Sequence, residues 1–335
     1  MRKNAKVTTV CVIATSILIA AILLDLHMAY TPLSLSQTID GILGRGDYVS
    51  NVVVRKINGP RIVMGCFVGA GLALSGAVMQ AIFRNPMASP YILGMSSGAS
   101  FGAALALLFP LAFLPELFSV PACSFIFCFI TVFIVYSISK TQGRTQTETL
   151  ILAGIAVGSM FSAFVSFLTY ISGEKMAGIV FWMMGDIGQY EWNNVIIVAP
   201  LVLIGCLLML TRANDLNAMM LGDIHANDLG VNVAQVRKEM LFATALVTAA
   251  CVSFVGVIGF VGLVIPHIMR ILMGPDNRYL LPASIIGGAA FIVLCDYISR
   301  SIIPGDILPI GILTSIIGAP YFIYLLIRRK KEMGW

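Results

Sequence analysis

The chain has 335 residues, of which 59% are hydrophobic and only 11% are charged, and its formal net charge is +5. Soluble domains carry roughly 25% charged residues, so this composition excludes a soluble globular protein and predicts an integral membrane protein. The basic residues are scattered between apolar segments. That scatter argues against nucleic acid as a partner and makes the charges informative about membrane topology.

Successive apolar segments of about 20 residues, the length that crosses a bilayer as a helix, run along the whole chain. Arg2, Lys3 and Lys6 precede the first segment, which is long for a signal peptide and has no clear cleavage site, so we expect it to be retained. We predict one transmembrane domain over residues 1–335, with spans near 7–28, 62–82, 91–109, 118–138, 149–170, 193–211, 241–258, 280–299 and 307–327.

The apolar region 241–270 does not fit a single crossing. As one helix it would be about 45 Å long against a hydrocarbon core of about 30 Å. A reversal through a short helix at about 260–269 places 15 of the 21 basic residues on the inner side, as the positive-inside rule requires. The sequence therefore predicts an all-α polytopic membrane protein with ten membrane helices, a multi-pass position in the cell membrane, and both termini in the cytoplasm.

A polar segment at 214–238 interrupts the apolar pattern and is too regular for a plain linker. Asp215 and Asp223 are suited to begin two short helices, and Gly222 and Gly230 are suited to end them. Isolated helices below ~12–15 residues are marginal, so we expect these two, at about 214–231, to rest on something. One possibility is the membrane domain of the same chain; the other, which the rest of the sequence favours, is a soluble partner.

The sequence carries no pattern typical of a catalytic or metal site. It has no G-x-x-x-x-G-K-[ST] phosphate loop, its seven cysteines lie in apolar segments without CxxC spacing, and its three histidines are isolated. We therefore expect neither an enzyme nor a chain that binds a metal or cofactor. The charges near the spans fall at their ends, which argues against the alternative of a proton- or sodium-coupled carrier.

Four hydroxyl side chains form a stripe in the fifth span: Ser159, Ser162, Ser166 and Thr169 follow one another at offsets of 3, 7 and 10 residues. Hydroxyls on a membrane helix can bond to carbonyls of their own helix and allow close packing. They can equally line a polar path. The spacing alone leaves both interpretations open.

Several motifs together resemble the permease subunits of ABC importers in the FecCD family, which import ferric siderophores, haem and cobalamin. The resemblance covers about residues 50–325 in the family's order. It rests on Pro60 with Arg61, GAGLALSG at 69–76 with Gln80, RNPMA at 84–88, Gly94 with Gly98, WMMG at 182–185, LGDIHANDLG at 221–230, GFVGLVIPH at 259–267 with Arg270, LPIG at 308–311 and GAPYF at 318–322.

This resemblance implies the fold and the partners. It implies the ABC type II importer permease fold, with ten helices per subunit and a homodimer in the lipid bilayer whose transport path lies at the dimer interface. It also implies two ATP-binding cassette subunits, which carry ATP and magnesium, and an extracytoplasmic substrate-binding protein. The implied function is alternating-access import of an iron chelate such as a ferric siderophore, with cobalamin or haem as the alternatives.

The resemblance also assigns residues to three sites. Arg61 and Arg300 match outer-face positions that meet acidic groups of the binding protein, and Arg55 and Lys56 lie where they can assist. Near the cytoplasmic gate lie Asn85 and Met87, the latter where Leu is usual in the family; with the hydroxyl stripe they form the predicted path. The residues expected to couple to the ATPase are Leu216, Met219, Met220, Leu221, Gly222, Asp223 (where Glu is usual), Ala226, Leu229 and Gly230.

Overall fold

The computed structural model describes residues 2–27, 33–109, 116–141, 144–145, 147–188, 190–303 and 305–332. These residues are almost entirely helical, apart from a two-residue antiparallel pairing of Lys140–Thr141 with Arg144–Thr145. The α-helices are α1 (Arg2–His27), α2 (Leu35–Leu43), α3 (Tyr48–Val52), α4 (Gly59–Ile82), α5 (Met95–Leu108), α6 (Glu116–Ser139), α7 (Thr147–Ile171), α8 (Met176–Met184), α9 (Trp192–Thr211), α10 (Ala213–Met220), α11 (Asp223–Asp228), α12 (Val233–Val255), α13 (Val261–Met273), α14 (Asn277–Ile302) and α15 (Ile310–Glu332).

Within the described ranges, eight helical segments are long and apolar enough to cross a membrane, and two shorter apolar helices, α5 and α13, accompany them. Together these ten helices correspond to the nine predicted spans and the short return helix. The prediction of an all-α polytopic membrane protein is confirmed, and its helix number agrees with the structure.

The predicted reversal lies between α12 and α13. Helix α12 ends at Val255, and the next residue, Gly256, adopts φ +70. A Cβ on Gly256 would lie 2.2 Å from the Trp182 carbonyl oxygen. After the turn, Gln80 Nε2 of α4 donates to the carbonyls of Gly262 and Leu263 at 3.3 Å, so α13 runs back beside the end of α4. The apolar region 241–270 therefore does not cross as one helix.

The start of α14 lies at the same end of the molecule as α10 and α11. The Asn277 amide donates to Asn217 Oδ1 at 2.8 Å, and Asn217 Nδ2 donates to Asp276 Oδ1 at 2.9 Å. We call this end, where α4 also finishes, the α10 end. The opposite end carries α2, α3 and the start of α4, and we call it the α2 end.

Helix α4 is the centre of the core, because 20 of its 24 residues are buried. Its glycines let neighbouring backbones approach closely: a Cβ on Gly69 would lie 2.2 Å from the Gly288 carbonyl oxygen, and one on Gly76 would lie 1.9 Å from that of Gly262. Such small-residue contacts are the usual way in which membrane helices pack, since no hydrophobic force acts between helices in lipid. The contacts fix α13 and α14 against α4 and thereby position both ends of the molecule.

Candidate functional site

The polar segment at the α10 end forms two short helices, as predicted, but the aspartates do not cap them. Asp215 lies in the first turn of α10 and pairs with Arg212 at 3.1 Å, while Asp223 is the first residue of α11. Gly222 links the two helices at φ +114, and Gly230 follows α11 at φ +84. L-residues rarely adopt these angles, so both glycines allow the sharp turns that the sequence suggested.

The inner face of this segment is part of the protein core. Leu216 and Ala226 are fully buried, and Met219 is 1% exposed, all within the same core cluster as α4 and α12. We predicted that Leu216, Met219 and Ala226 would couple to the ATPase, but all three side chains are packed inside their own chain and none is open to a partner in this structure. They fix the two short helices to the membrane domain instead.

The outer face of the segment carries three large apolar side chains. Leu221 is 65% exposed, Ile224 is 77% exposed and Leu229 is 64% exposed. We call these three the apolar triad. The predicted site contained Leu221 and Leu229 but omitted Ile224, although an isoleucine between Asp223 and His225 in a polar segment was a signal for it. One face of the segment therefore packs on its own domain and the other is open, and contact of the open face with a soluble partner stays a prediction.

Electrostatic contacts join α11 to its neighbours. Asp223 accepts two hydrogen bonds from Arg237 Nη2, at 2.8 and 3.0 Å, and lies 3.8 Å from Arg84 Nη2. Nearby, the Arg278 guanidinium donates to Asp276 and holds the pKa of that carboxyl well below its usual range. These contacts connect α11 to α12 and to the end of α4, so a displacement of α11 would be felt at both.

The predicted gate residues lie beside this segment. The side chain of Asn85 accepts a hydrogen bond from the Met87 amide at 2.9 Å and so holds the turn that follows α4. Both residues line a cleft of about 530 Å³, together with Met220 of α10. Met220 is therefore partly covered, and its sulfur accepts a contact from Asn277 Nδ2 at 3.5 Å. The structure brings the predicted gate and one predicted coupling residue into one cleft.

The hydroxyl stripe lies on an open face of α7. Ser159, Ser162 and Ser166 are exposed, and Thr169 is partly exposed. Ser162 exchanges a hydrogen bond with Ser97 Oγ at 3.0 Å, whereas Ser166 and Thr169 donate to carbonyls of their own helix at 3.0 and 2.8 Å. These bonds fit the packing interpretation and the exposure fits the path, so the stripe remains open to both.

At the α2 end, two of the predicted docking cations are largely withdrawn from solvent: Arg61 is buried, and the Arg300 side chain is 11% exposed. Arg61 is 3% exposed and forms a two-pronged pair with Asp296, at 2.7 and 2.8 Å, while a third nitrogen donates to the Gly188 carbonyl at 3.1 Å. Arg300 pairs with Asp25 and donates to Asn58 Oδ1 at 3.0 Å. Both guanidinium groups are therefore paired with carboxylates of their own chain, as charges withdrawn from water must be. They do not form the open cationic face that we expected.

The other two predicted docking residues are accessible. Arg55 and Lys56 are both exposed in the helical turn before α4. Arg55 donates to the carbonyls of Gly41 and Ile42, at 3.0 and 2.9 Å, which fixes α2 beside the start of α4. In the described part of the chain, no cluster of three or more His, Cys, Asp or Glu side chains is arranged to hold a metal ion.

Comparison with known proteins agrees with this architecture. The cobalamin import system permease protein BtuC of Halobacterium salinarum is 42% identical over 281 residues, covering 84% of this chain and 75% of that protein. The hemin transport system permease protein HmuU of Yersinia pestis is 38% identical over 276 residues, covering 82% of each chain. The Fe(3+)-citrate import system permease protein YfmE of Bacillus subtilis is 33% identical over 327 residues, covering 97% of this chain and 96% of that one.

A solved structure and a family profile lead to the same assignment. A chain from an inward-facing metal-chelate type ABC transporter matches with a TM-score of 0.85 at 35% identity, covering 96% of this chain and 99% of that chain. The profile of the FecCD transport family matches residues 17–328. From this match and from the identities to its relatives, the chain is a multi-pass membrane permease of the ABC importer type and belongs to the FecCD transport family.

Proposed function

We propose that this permease imports an iron chelate, a ferric siderophore, by alternating access as a homodimer. Two ATPase subunits at the α10 end supply the energy. The observation that carries the proposal is the apolar triad, which is exposed on helices that are fixed to the core. The sequence has no phosphate loop, so the energy of ATP arrives through contact with a partner. The triad is the described surface of the α10 end that is best suited to make that contact.

The names of three relatives mention cobalamin, hemin and Fe(3+)-citrate. These names support the proposal that this chain imports a metal-containing chelate. Cobalamin and haem therefore stay as second candidates for the cargo. The test is the ATPase activity of the purified complex with its own binding protein, measured with a ferric siderophore, haem and cobalamin. Stimulation by the siderophore alone is the expected result. Stimulation by cobalamin or haem instead would change the cargo but keep the transporter class.

The proposal requires the α10 end to face the cytoplasm. Arg278 lies there with a side chain that is 58% exposed, and Tyr48 at the α2 end is 83% exposed. In a cysteine-free background, Arg278→Cys should resist an impermeant thiol reagent in intact cells and react after permeabilisation. Tyr48→Cys should react in intact cells. The reverse labelling pattern would place the α10 end outside the cell and would contradict an ATPase contact there.

We further propose that the hydroxyl stripe lines the path between the two subunits. Ser162→Cys and Ser166→Cys should react several-fold faster with a small hydrophilic thiol reagent in the assembled transporter than Met160→Cys and Phe167→Cys. Met160 and Phe167 are matched controls, because they are 43% and 60% exposed on the apolar side of the same helix. Equal rates in the two pairs would favour helix packing as the purpose of the stripe.

At the α2 end, we propose that Arg55 and Lys56 provide the exposed cations that meet the binding protein. Exposed charges at the rim of an interface act mainly on the association rate and its salt dependence. The ion pairs of Arg61 with Asp296 and of Arg300 with Asp25 then support this surface by holding α1, α4 and α14 together beneath it.

A further inference from the structure

The cleft at the α10 end has a chemical character that transport coupling does not explain. It lies between the end of α4, Met220 of α10, the face of α13 and the last turns of α15, with a volume of about 530 Å³. Leu263, Phe322 and Leu325 give it an apolar wall, and Gln80, Arg84, His267 and Arg270 give it a polar one. A mostly apolar cleft of this size with a few convergent polar groups is typical of a ligand site.

Arg270 is the unusual residue in this cleft. Its Nε and Nη2 atoms are buried, and within the part of the chain that the structure describes neither has a hydrogen-bond partner. A guanidinium stays protonated at every relevant pH. Because a buried charge without a partner is unfavourable, the group is suited to an anion that comes from outside this chain.

The surroundings of Arg270 add positive charge without cancelling it. Arg84 also lines the cleft, 3.8 Å from Asp223, but Asp223 already accepts two bonds from Arg237. The Asp223 carboxylate is thus shared between Arg84 and Arg237. None of the described residues that line the cleft is acidic. The local field therefore favours an anionic ligand.

A second buried group defines the ligand further. Gln80 donates through Nε2 to the carbonyls of Gly262 and Leu263, whereas its Oε1 atom is buried without a partner among the described residues. An acceptor in that position calls for a donor, such as a hydroxyl group. Gln80 and Arg270 both line the cleft, so a ligand whose anionic group and hydroxyl reached these buried atoms would satisfy both residues.

We propose that the cleft binds an oxyanion that also carries a hydroxyl group, with Arg270 holding the carboxylate or phosphate and Gln80 accepting from the hydroxyl. Two sources share this chemistry: a soluble hydroxycarboxylate, and the phosphoglycerol headgroup of an anionic lipid. The cleft also contains the predicted gate residues Asn85 and Met87, so binding has to be distinguished from the movement of cargo. Binding is therefore measured on the purified full-length chain without transport.

Citrate is the soluble probe, and tricarballylate, which has the same three carboxylates but no hydroxyl, is its matched analogue. In neutral detergent at constant ionic strength, citrate should raise the melting temperature of the wild-type chain in a saturable way, and tricarballylate should do so more weakly. Arg270→Gln should bind citrate roughly ten- to a hundred-fold more weakly, because charge-assisted hydrogen bonds are lost. Arg278→Gln, which removes an exposed and already paired guanidinium at the same end, should bind like the wild type.

Nanodiscs distinguish the two sources. In phosphatidylcholine discs that also contain phosphatidylglycerol, native mass spectrometry should find phosphatidylglycerol retained by wild type and Arg278→Gln but lost from Arg270→Gln if the ligand is the lipid, and citrate should then no longer bind. If citrate binds equally in discs with and without phosphatidylglycerol, the ligand is soluble. If wild type and Arg270→Gln respond alike to both probes, the proposal is overturned. Should Arg270→Gln fail to fold, equal binding of citrate and tricarballylate by the wild type overturns it.

Discussion

Replacing Ile224 with aspartate should detach the ATPase subunits from the permease and abolish uptake, while the permease itself still inserts and folds. Ile224 is 77% exposed in the free chain, so the change disturbs no core packing here. In a complex the same position is covered, and an unpaired carboxylate in a buried contact costs several kcal/mol. That cost corresponds to a loss of about a hundred-fold or more in affinity. Leu221→Asp should behave in the same way.

The measurement is the amount of ATPase that copurifies with the tagged permease, together with uptake in cells. Leu35→Asp is the matched control, because Leu35 is 74% exposed but lies at the α2 end; it should retain the ATPase. Leu216→Asp is a second comparison. The Leu216 side chain is buried beneath the segment, so this substitution should prevent folding of the permease itself. Normal copurification and uptake with Ile224→Asp would show that the apolar triad is not the coupling surface.

The second large effect is expected at the buried pair of Arg61 and Asp296, whose side chains are 4% and 3% exposed. Removing one partner of a buried ion pair leaves an uncompensated charge and typically destabilises a protein by roughly 3–5 kcal/mol. Asp296→Ala should therefore lower the melting temperature of the purified chain sharply. It strands Arg61 and also removes the nearby carboxylate, 3.8 Å from Arg300 Nε.

A double substitution tests whether the pair itself is responsible. Arg61→Met with Asp296→Leu removes both charges and keeps apolar volume, so it should recover much of the stability that Asp296→Ala loses. Arg278→Gln, which removes an exposed guanidinium while Asp276 keeps its bond from Asn217, should change the melting temperature little. If the double variant is as unstable as Asp296→Ala, packing rather than charge is what the pair supplies.

The sequence predicted the membrane architecture well because the constraints were of length and hydropathy. A region of 30 residues was too long for one crossing, and the charge bias required a reversal, which the structure places between Val255 and Val261. The position of the polar segment followed from the same reasoning. Both arguments use only local sequence and the thickness of a bilayer.

The sequence could not assign faces or partners that depend on tertiary contacts. Helix α10 has only 8 residues, too few for periodicity to show that Leu216 and Met219 point inward while Leu221 is open. Likewise, Arg61 looked like a free outer cation because its partner Asp296 lies 235 residues further along. The hydroxyl stripe stays unresolved for another reason, since bonds to its own helix and exposure toward a path use the same spacing.

The break between α12 and α13 has a consequence for how the chain enters the membrane. Helix α13 has 13 residues, about 20 Å, and cannot leave the translocon as an independent span. The broken backbone before it relies on donors from elsewhere: the Tyr91 hydroxyl reaches the Ile258 carbonyl at 2.8 Å, and the Asp186 amide reaches that of Val255 at 2.8 Å. Lipid offers no substitute for these donors. We therefore expect α13 to reach its final position only after the segments that carry Tyr91 and Asp186 have been inserted.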